Sequence, residues 1–354
     1  MQNQKHCLRS TELISDHILE QHESIPWEEH VRKNNQTRWI AGFWRRSAAF
    51  ILDGVLLGII GQVLGMFFEA YFVSIGAWGR LIGFAIALVY FSIQNSRICN
   101  GQTVGKRLMK IRVVDPFNGT VSVQRSVLRY TVLAVPFSLN NAQIPDSLAF
   151  SFGIHILSLI VFGGMFSALY LFTFNRQTRQ SIHDLAARTY VVNTDAGFDI
   201  PDRIWKPHFY VIGGVCLAAV LAPALLNPYT KQEPFTHLFE TRDAIMQRCD
   251  ATSVGVVFGS TTTTTIKSGS RTTTFVKASV SLRQQQTADK ALAESIASII
   301  AANYPDARNK DVIQVNLIYG FNIGIANRWR SQSHRFDPEQ IFMGLRPPEK
   351  GEHL

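Results

Sequence analysis

The chain has 354 residues, 46% of them hydrophobic, and a formal net charge of +9. This length leaves room for roughly two or three folding units. The Lys and Arg residues crowd beside long apolar runs, where membrane topology explains them better than nucleic-acid binding does. Composition and charge therefore favour a membrane protein with polar ends and argue against nucleic acid as a partner.

None of the sequence patterns is typical of an enzyme or a metal site. The four cysteines form no Cys-x-x-Cys pair: Cys7, Cys99, Cys216 and Cys249. The segment 101–106 (GQTVGK) has three residues between its glycines and Arg107 after the lysine, so it does not fit a phosphate-binding loop. His183 and Asp184 lack the further His and Asp ligands that a two-metal site needs. We therefore expect no enzymatic activity, no metal and no cofactor.

Five apolar runs follow a polar N-terminal segment. A helix needs about 20 apolar residues to cross a bilayer. The runs that come near this length are 48–73, 81–93, 127–139, 148–174 and 209–226. The third is the weakest of the five because it contains Arg129 and Pro136. The sequence predicts about five membrane spans.

Glycines in the first run follow a helical spacing. Gly54, Gly58, Gly61 and Gly65 fall along one stripe of a helix. Small residues in such a stripe let another helix approach closely. We predict a tight helix–helix seam at this stripe, which is also a candidate contact in an oligomer.

Charge placement sets the predicted orientation. The connections 97–125 and 175–207 are rich in Lys and Arg, whereas 74–80 and 140–147 contain few or none. Rich and poor connections alternate, as five spans with a cytoplasmic N-terminus require. We therefore predict that the C-terminal part of the chain lies outside. Within the first rich loop, Asn118-Gly119 is a strong turn signal and predicts a hairpin of 111–115 with 120–123.

Residues 231–345 are predicted to form a soluble α+β domain. Helical spacing covers 236–249 and 288–303. Alternating apolar residues predict strands at 252–258 and 272–282, and 311–325 is predicted as one long strand region. The threonines at 261–265 favour a β-hairpin over a disordered linker because β-branched residues flank the turn.

Asp53 is unusual because a carboxylate within a span is costly unless it is paired or hydrated. Arg46 precedes it by seven residues, which brings both to nearly the same helix face about 10 Å apart along the axis. Its partner could be Arg46 or a basic residue of another helix such as Arg129. Two interpretations stay open: an ion or proton site lined by Asp53, or a buried salt bridge that fixes the helix register.

Three ordered segments resemble the RDD family of bacterial integral membrane proteins. They are 42–53 (GFWRRSAAFILD), 101–115 (GQTVGKRLMKIRVVD) and 180–184 (QSIHD), the last followed by Thr189 and Val191. The resemblance covers roughly residues 40–193. The Arg and two Asp of the family name map onto Arg46, Asp53 and Asp184, which we take as its charged cluster. Further candidate residues, in a supporting role, are Gly101, Gly105, Lys106, Arg129 and His183.

The resemblance implies a bacterial inner-membrane protein and, in general terms, a role in transport. We divide the chain into a polar cytoplasmic segment 1–40, an RDD-like transmembrane domain 41–193, a connector with the fifth span 194–230, an extracytoplasmic α+β domain 231–345 and a tail 346–354. Transport of a small ion or solute is the expected function. The alternative is a non-catalytic membrane scaffold whose outer domain binds a partner or polymer. Five spans are few for a carrier, so we expect a homo-oligomer or a membrane protein partner in the lipid bilayer.

Overall fold

The computed structural model describes residues 38–140, 152–200, 203–230, 233, 235–265 and 269–344. Three predicted segments lie largely outside the described residues: the polar segment 1–40, the tail 346–354, and the connection 140–147 that contains no Lys or Arg. Helices make up the N-terminal region. A mixed α/β region follows and contains a four-stranded sheet.

Long helices occupy the places of the predicted spans. They are α1 (Phe43–Ile75), α2 (Gly79–Gln94), α4 (Val123–Leu139), α5 (Gly153–Phe174, with a π-helical turn at Leu159–Gly163) and α7 (Pro207–Thr230). Gly76 ends α1 with a positive φ of 55°, and the short turn Gly76–Trp78 leads into α2. Two short helices, α3 (Val104–Leu108) and α6 (Ile182–Ala186), lie in the Lys- and Arg-rich loops.

Three stretches of the described chain are long and apolar enough to cross a membrane: Phe43–Gln94, Gly153–Phe174 and Pro207–Pro228. The first contains both α1 and α2. The predicted third span falls in α4, which has 17 residues and is not among the three candidates. The helix is short for a full span, and its N-terminal half is polar: Arg125 and Arg129 bond residues of the 175–193 loop.

A small two-stranded sheet joins the two basic loops. Strand β1 (Ile111–Val114) pairs antiparallel with β2 (Tyr190–Asn193). The predicted hairpin of 111–115 with 120–123 is therefore wrong in its second strand. The turn itself forms, with Asp115 N–H donating to the Gly119 carbonyl at 2.9 Å. Strand β2 offers β1 an apolar partner, since its Val191 and Val192 are both buried. A local turn signal does not reveal a partner strand 75 or more residues away along the chain.

The C-terminal region packs two helices on its sheet. Its elements are α8 (Phe235–Arg248), β3 (Ala251–Thr265), β4 (Gly269–Leu282), α9 (Lys290–Asn303), β5 (Val312–Asn322), β6 (Asn327–Phe336) and α10 (Pro338–Gly344). The strand order is β3-β4-β5-β6, with β4 and β5 parallel and the other neighbours antiparallel. Alternate residues of β4 and β5, such as Val280 and Leu317, are fully buried with Ile296 and Ile300 of α9.

The long strand predicted at 311–325 is in fact the first arm of a hairpin. Strand β5 ends at Asn322, and β6 begins at Asn327 and runs back beside it. Most side chains of β6 are exposed, and most of them are polar. The sequence of β6 therefore lacks the apolar alternation that predicts strands. That absence is why β6 was not predicted.

The turn of this hairpin, residues 322–327, is inserted between α1 and α2 and is called the hairpin tip below. Phe321, Ile323 and Ala326 are buried against Phe72 and Val73 of α1. The hairpin covers the predicted glycine stripe from Gly58 onwards: Gly61 faces Ala326 of the tip, and Gly65 faces Phe321 just before it. The predicted helix–helix seam is therefore wrong: a small-residue stripe allows close approach without specifying a helix.

Candidate functional site

Asp184 is the centre of a buried ion-pair cluster formed with two arginines. Its Oδ2 accepts from Arg46 Nη2 at 2.8 Å, and its Oδ1 accepts from Arg129 Nη2 at 2.6 Å and Nε at 2.9 Å. The carboxylate is fully buried at the start of α6. Burial alone would raise its pKa, but the charges of Arg129 and Arg46 outweigh burial and hold the pKa of Asp184 well below its usual range.

Backbone groups complete this cluster. Ser181 N–H donates to Asp184 Oδ2 at 3.2 Å, and Arg46 Nη1 donates to the Arg179 carbonyl. The Arg46 guanidinium also lies over the Phe172 ring, 5.4 Å from its centroid. The cluster thereby ties α1, α4 and the 175–193 loop together.

Asp53 forms a second, separate site. Its Oδ1 accepts from Tyr90 Oη at 2.8 Å and from Gly105 N–H at 2.8 Å. Its Oδ2 accepts from Thr103 Oγ1 at 2.5 Å. Neither arginine considered as its partner, Arg46 or Arg129, forms this contact. The carboxylate is instead satisfied by neutral donors of α2 and of the turn that begins α3.

Two glycines allow the 101–108 segment to reach Asp53. A Cβ at Gly105 would overlap the carbonyl oxygen of Ala49 in α1. Gly101 has a φ of 70°, a backbone conformation that residues other than glycine rarely adopt. It lies against the backbone of Val113. The glycines of this motif therefore serve close backbone packing against α1 and β1, and Thr103 begins α3 by accepting from Lys106 N–H.

His183 lies beside the Asp184 cluster as a neutral side chain. Burial, with the positive charges of Arg129 and Arg46 acting in the same direction and Asp184 opposing them, lowers the pKa of His183 to about 3. Its Nε2 lies 3.5 Å from Asp184 Oδ2. Its Nδ1 has no hydrogen-bond partner among the described residues.

Lys106 projects between the two acidic sites. Its Nζ donates to Asn95 Oδ1 at 2.5 Å. Burial, followed by the nearby charge of Arg129, lowers the pKa of Lys106 to about 7, although Asp53 and Asp184 oppose the shift. The amine therefore titrates nearer to neutral pH than an ordinary lysine does.

A cavity of about 830 Å³ lies between the helices, beside these charged groups. It lies between α1, α2, α4 and α5, with aromatic and aliphatic walls that include Phe50, Phe84, Leu133 and Phe137. Arg46, Asp53, Lys106 and Arg129 lie along it. The hairpin tip closes the end remote from Asp184, where Asn322, Gly324 and Ile325 complete the lining. A cavity of this size fits a small-molecule ligand.

Residues 40–188 match the family model described as the RDD family. These residues are an RDD family domain. The match contains Arg46, Asp53 and Asp184, together with the rest of the cavity apart from Val191 and the hairpin tip. No curated protein and no solved structure matches the chain.

Several residues of this RDD domain site were not predicted. Tyr90 comes from α2, Asn95 directly follows the end of α2, and Thr103 comes from the loop after it, so only folding brings them to Asp53 and Lys106. Thr103 could have been found as the N-cap of a short helix, since Ser and Thr are favoured there. The described residues contain no group of three or more His, Cys, Asp or Glu side chains placed to hold a metal ion.

Proposed function

We propose that the chain is a five-span membrane protein whose RDD domain binds a small solute in the cavity and passes it across the membrane. The single observation that carries this proposal is the position of the cavity. It runs from buried charged groups to the hairpin tip between α4 and three helices of candidate membrane spans, α1, α2 and α5. Irregular backbone beside membrane helices is tolerated where it lines a cavity, and the hairpin tip is backbone of this kind.

The charges divide into structural and available groups. The two carboxylates have their oxygens occupied: Asp184 by the arginines and a backbone N–H, and Asp53 by three neutral donors. A closed ion-pair network of this kind holds loops and helices in register. Solute contact is therefore assigned to the cavity wall and Lys106, and Asp53 is assigned a structural role.

The hairpin tip gives the C-terminal region a part in this function. Ile325 packs with Leu57, Ala87 and Phe91 at the end of the cavity. Gln62 Nε2 donates to the Asn327 carbonyl at 3.0 Å, which anchors the tip to α1. Solute that enters or leaves at this end must displace the tip, so we propose that the C-terminal region controls one mouth of the cavity.

Filling the cavity should stop passage. Ala134 is a buried wall residue of α4, and Ala134→Phe would place a ring in the cavity. Ala85→Phe is the matched control, because Ala85 lies on the exposed face of α2. The purified protein is placed in liposomes that contain a pH-sensitive dye, and a gradient of Na⁺, K⁺, phosphate or octyl phosphate is applied. We expect the wild-type protein to change the internal pH. Ala134→Phe should abolish this change and Ala85→Phe should preserve it.

Equal rates for the two variants would contradict passage through the cavity. If no gradient produced a change although the protein was folded, the scaffold alternative would replace transport.

A further inference from the structure

The lining of the cavity carries more positive than negative charge. Its basic side chains are Arg46, Arg80, Lys106 and Arg129, and its one carboxylate among the lining residues is Asp53. Asp184 lies directly behind Arg46 and Arg129. With Lys106 protonated, four basic side chains against two carboxylates leave a surplus of two positive charges. Positive charge lining a cavity favours an anionic ligand.

Lys106 is a cavity-lining cation without an acidic partner among the described residues. Its Nζ bonds the neutral Asn95 side chain and forms no ion pair within the described residues. Arg46 and Arg129 already share Asp184, and Asp53 is bonded by Tyr90, Thr103 and Gly105. Lys106 is half-buried, and withdrawing a cation from water is unfavourable unless it is paired, so a bound anion would supply the missing partner.

The wall beside Lys106 is apolar. Phe50 and Phe172 lie on the same cavity, with Leu133 and Phe137 further along α4. The apolar lining would bind hydrocarbon or ring groups through burial, as ligand pockets generally do. A ligand that matches both parts has an anionic group at one end and an apolar body.

We propose that the cavity binds an amphiphilic anion, with its phosphate or carboxylate group at Lys106 and its apolar body against the aromatic walls. The proposal rests on the proposed function, because it names the class of solute for the same cavity. A lipid headgroup and a free organic anion share this chemistry, and the experiment separates the two sources.

Three probes of equal chain length test the charge requirement: octyl phosphate, octanol and octylammonium. Calorimetric titration uses the full chain in nanodiscs of zwitterionic lipid, with empty nanodiscs subtracted. Octyl phosphate should bind at least roughly tenfold more tightly than the other two, the size of one charge-assisted hydrogen bond. Comparable binding of all three probes would overturn the anionic class.

Variants locate the bound anion. Lys106→Gln should lose the preference for octyl phosphate, while Lys106→Arg should keep it because the positive charge remains. Lys110→Gln is the matched control, since Lys110 is exposed in the same loop. A Lys106→Gln variant that retains the preference would overturn the assignment to Lys106.

The pH dependence gives a readout that a structural role for Lys106 would not move. The charged and titratable groups around it are Arg46, Asp53, Arg129, His183 and Asp184. The lysine is charged below its pKa of about 7 and neutral above it, so octyl phosphate affinity should fall as pH rises above 7. Lys106→Arg should remove this fall, because arginine stays charged. An identical pH profile for wild type and Lys106→Arg would overturn the contact.

Failure of this proposal can be distinguished from failure of the proposed function. If all three probes bind and Ala134→Phe blocks them, the cavity binds solutes but does not select anions. If no probe binds but the liposomes still show passage that Ala134→Phe abolishes, the amphiphilic-anion proposal falls and the proposed function stands. Adding phosphatidylglycerol to the nanodiscs identifies the source: competition with octyl phosphate supports a lipid headgroup, and unchanged binding supports a free organic anion.

Discussion

Asp184→Asn is expected to lower the free energy of unfolding by about 3–5 kcal/mol, the cost of removing one partner from a buried ion pair. The amide keeps the shape of the side chain but removes the charge that Arg46 and Arg129 share. Two buried guanidiniums would then face each other without a counter-charge. Thermal melting of the purified protein and its folded yield measure the effect. Asp195→Asn is the control, because Asp195 is exposed.

The stabilisation by the Asp184 cluster should be insensitive to mild acid. The pKa of Asp184 is depressed in the folded state, so its contribution to stability is complete above the unfolded value of about 3.9. It is lost only as pH falls below that value towards the folded pKa. The melting difference between wild type and Asp184→Asn should therefore hold between about pH 5 and 7. A variant that melts like Asp195→Asn would show that the pair does not stabilise the fold.

Gly83→Val is expected to drive the hairpin tip out from between α1 and α2. A Cβ at Gly83 would overlap the backbone carbonyl of Ile323 and lie 3.0 Å from Ile325 N. Because the clash is with backbone, no side-chain rotation relieves it. We expect a loss of about 3 kcal/mol in the free energy of unfolding, at the upper end of the usual cost of overpacking. Amide hydrogen exchange of residues 322–327 should become faster in the same variant.

Gly54→Val is the matched control for this substitution. A Cβ at Gly54 meets no atom within 4 Å, so valine fits there without a clash. Its hydrogen exchange at the tip should equal that of wild type. Equal protection of the tip in Gly83→Val and Gly54→Val would mean that the tip does not depend on this contact.

Local signals in the sequence were enough to predict most helices and part of the sheet. Apolar runs predicted the positions of α1, α2, α5 and α7, and alternating apolar residues predicted β4. The ends differ by a few residues, because caps such as Gly76 and Ser122 decide them rather than hydropathy. These elements depend on nearby residues, and so their prediction needs no knowledge of the fold.

The partners of the charged residues were harder to predict. Helical spacing placed Arg46 and Asp53 on one face, yet each bonds elsewhere, to Asp184 and to Tyr90, Thr103 and Gly105. Spacing within one helix does not reveal which other element offers a closer donor. Arg129 was considered for Asp53, but it contacts Asp184 because α6 starts beside α4.

The hairpin tip shows a second limit of sequence reasoning. Ile323, Gly324, Ile325 and Ala326 fit the end of an ordinary strand, and the glycine stripe fits any close neighbour. Only the structure shows that these two features belong together. The sequence therefore predicted a separate outer domain, while the tip contributes to the membrane cavity.

Reaction of a cysteine introduced by Ala134→Cys with a water-soluble maleimide tests most directly whether the helices enclose a solute-accessible cavity. The four native cysteines are first replaced by alanine, and the protein is held in nanodiscs. Ala85→Cys, on the exposed face of α2, is the control. We expect the thiol at position 134 to react, to be protected by octyl phosphate and to react faster in the Gly83→Val background. A thiol at 134 that reacts no faster than the one at 85, with or without Gly83→Val, would contradict a cavity open to solutes.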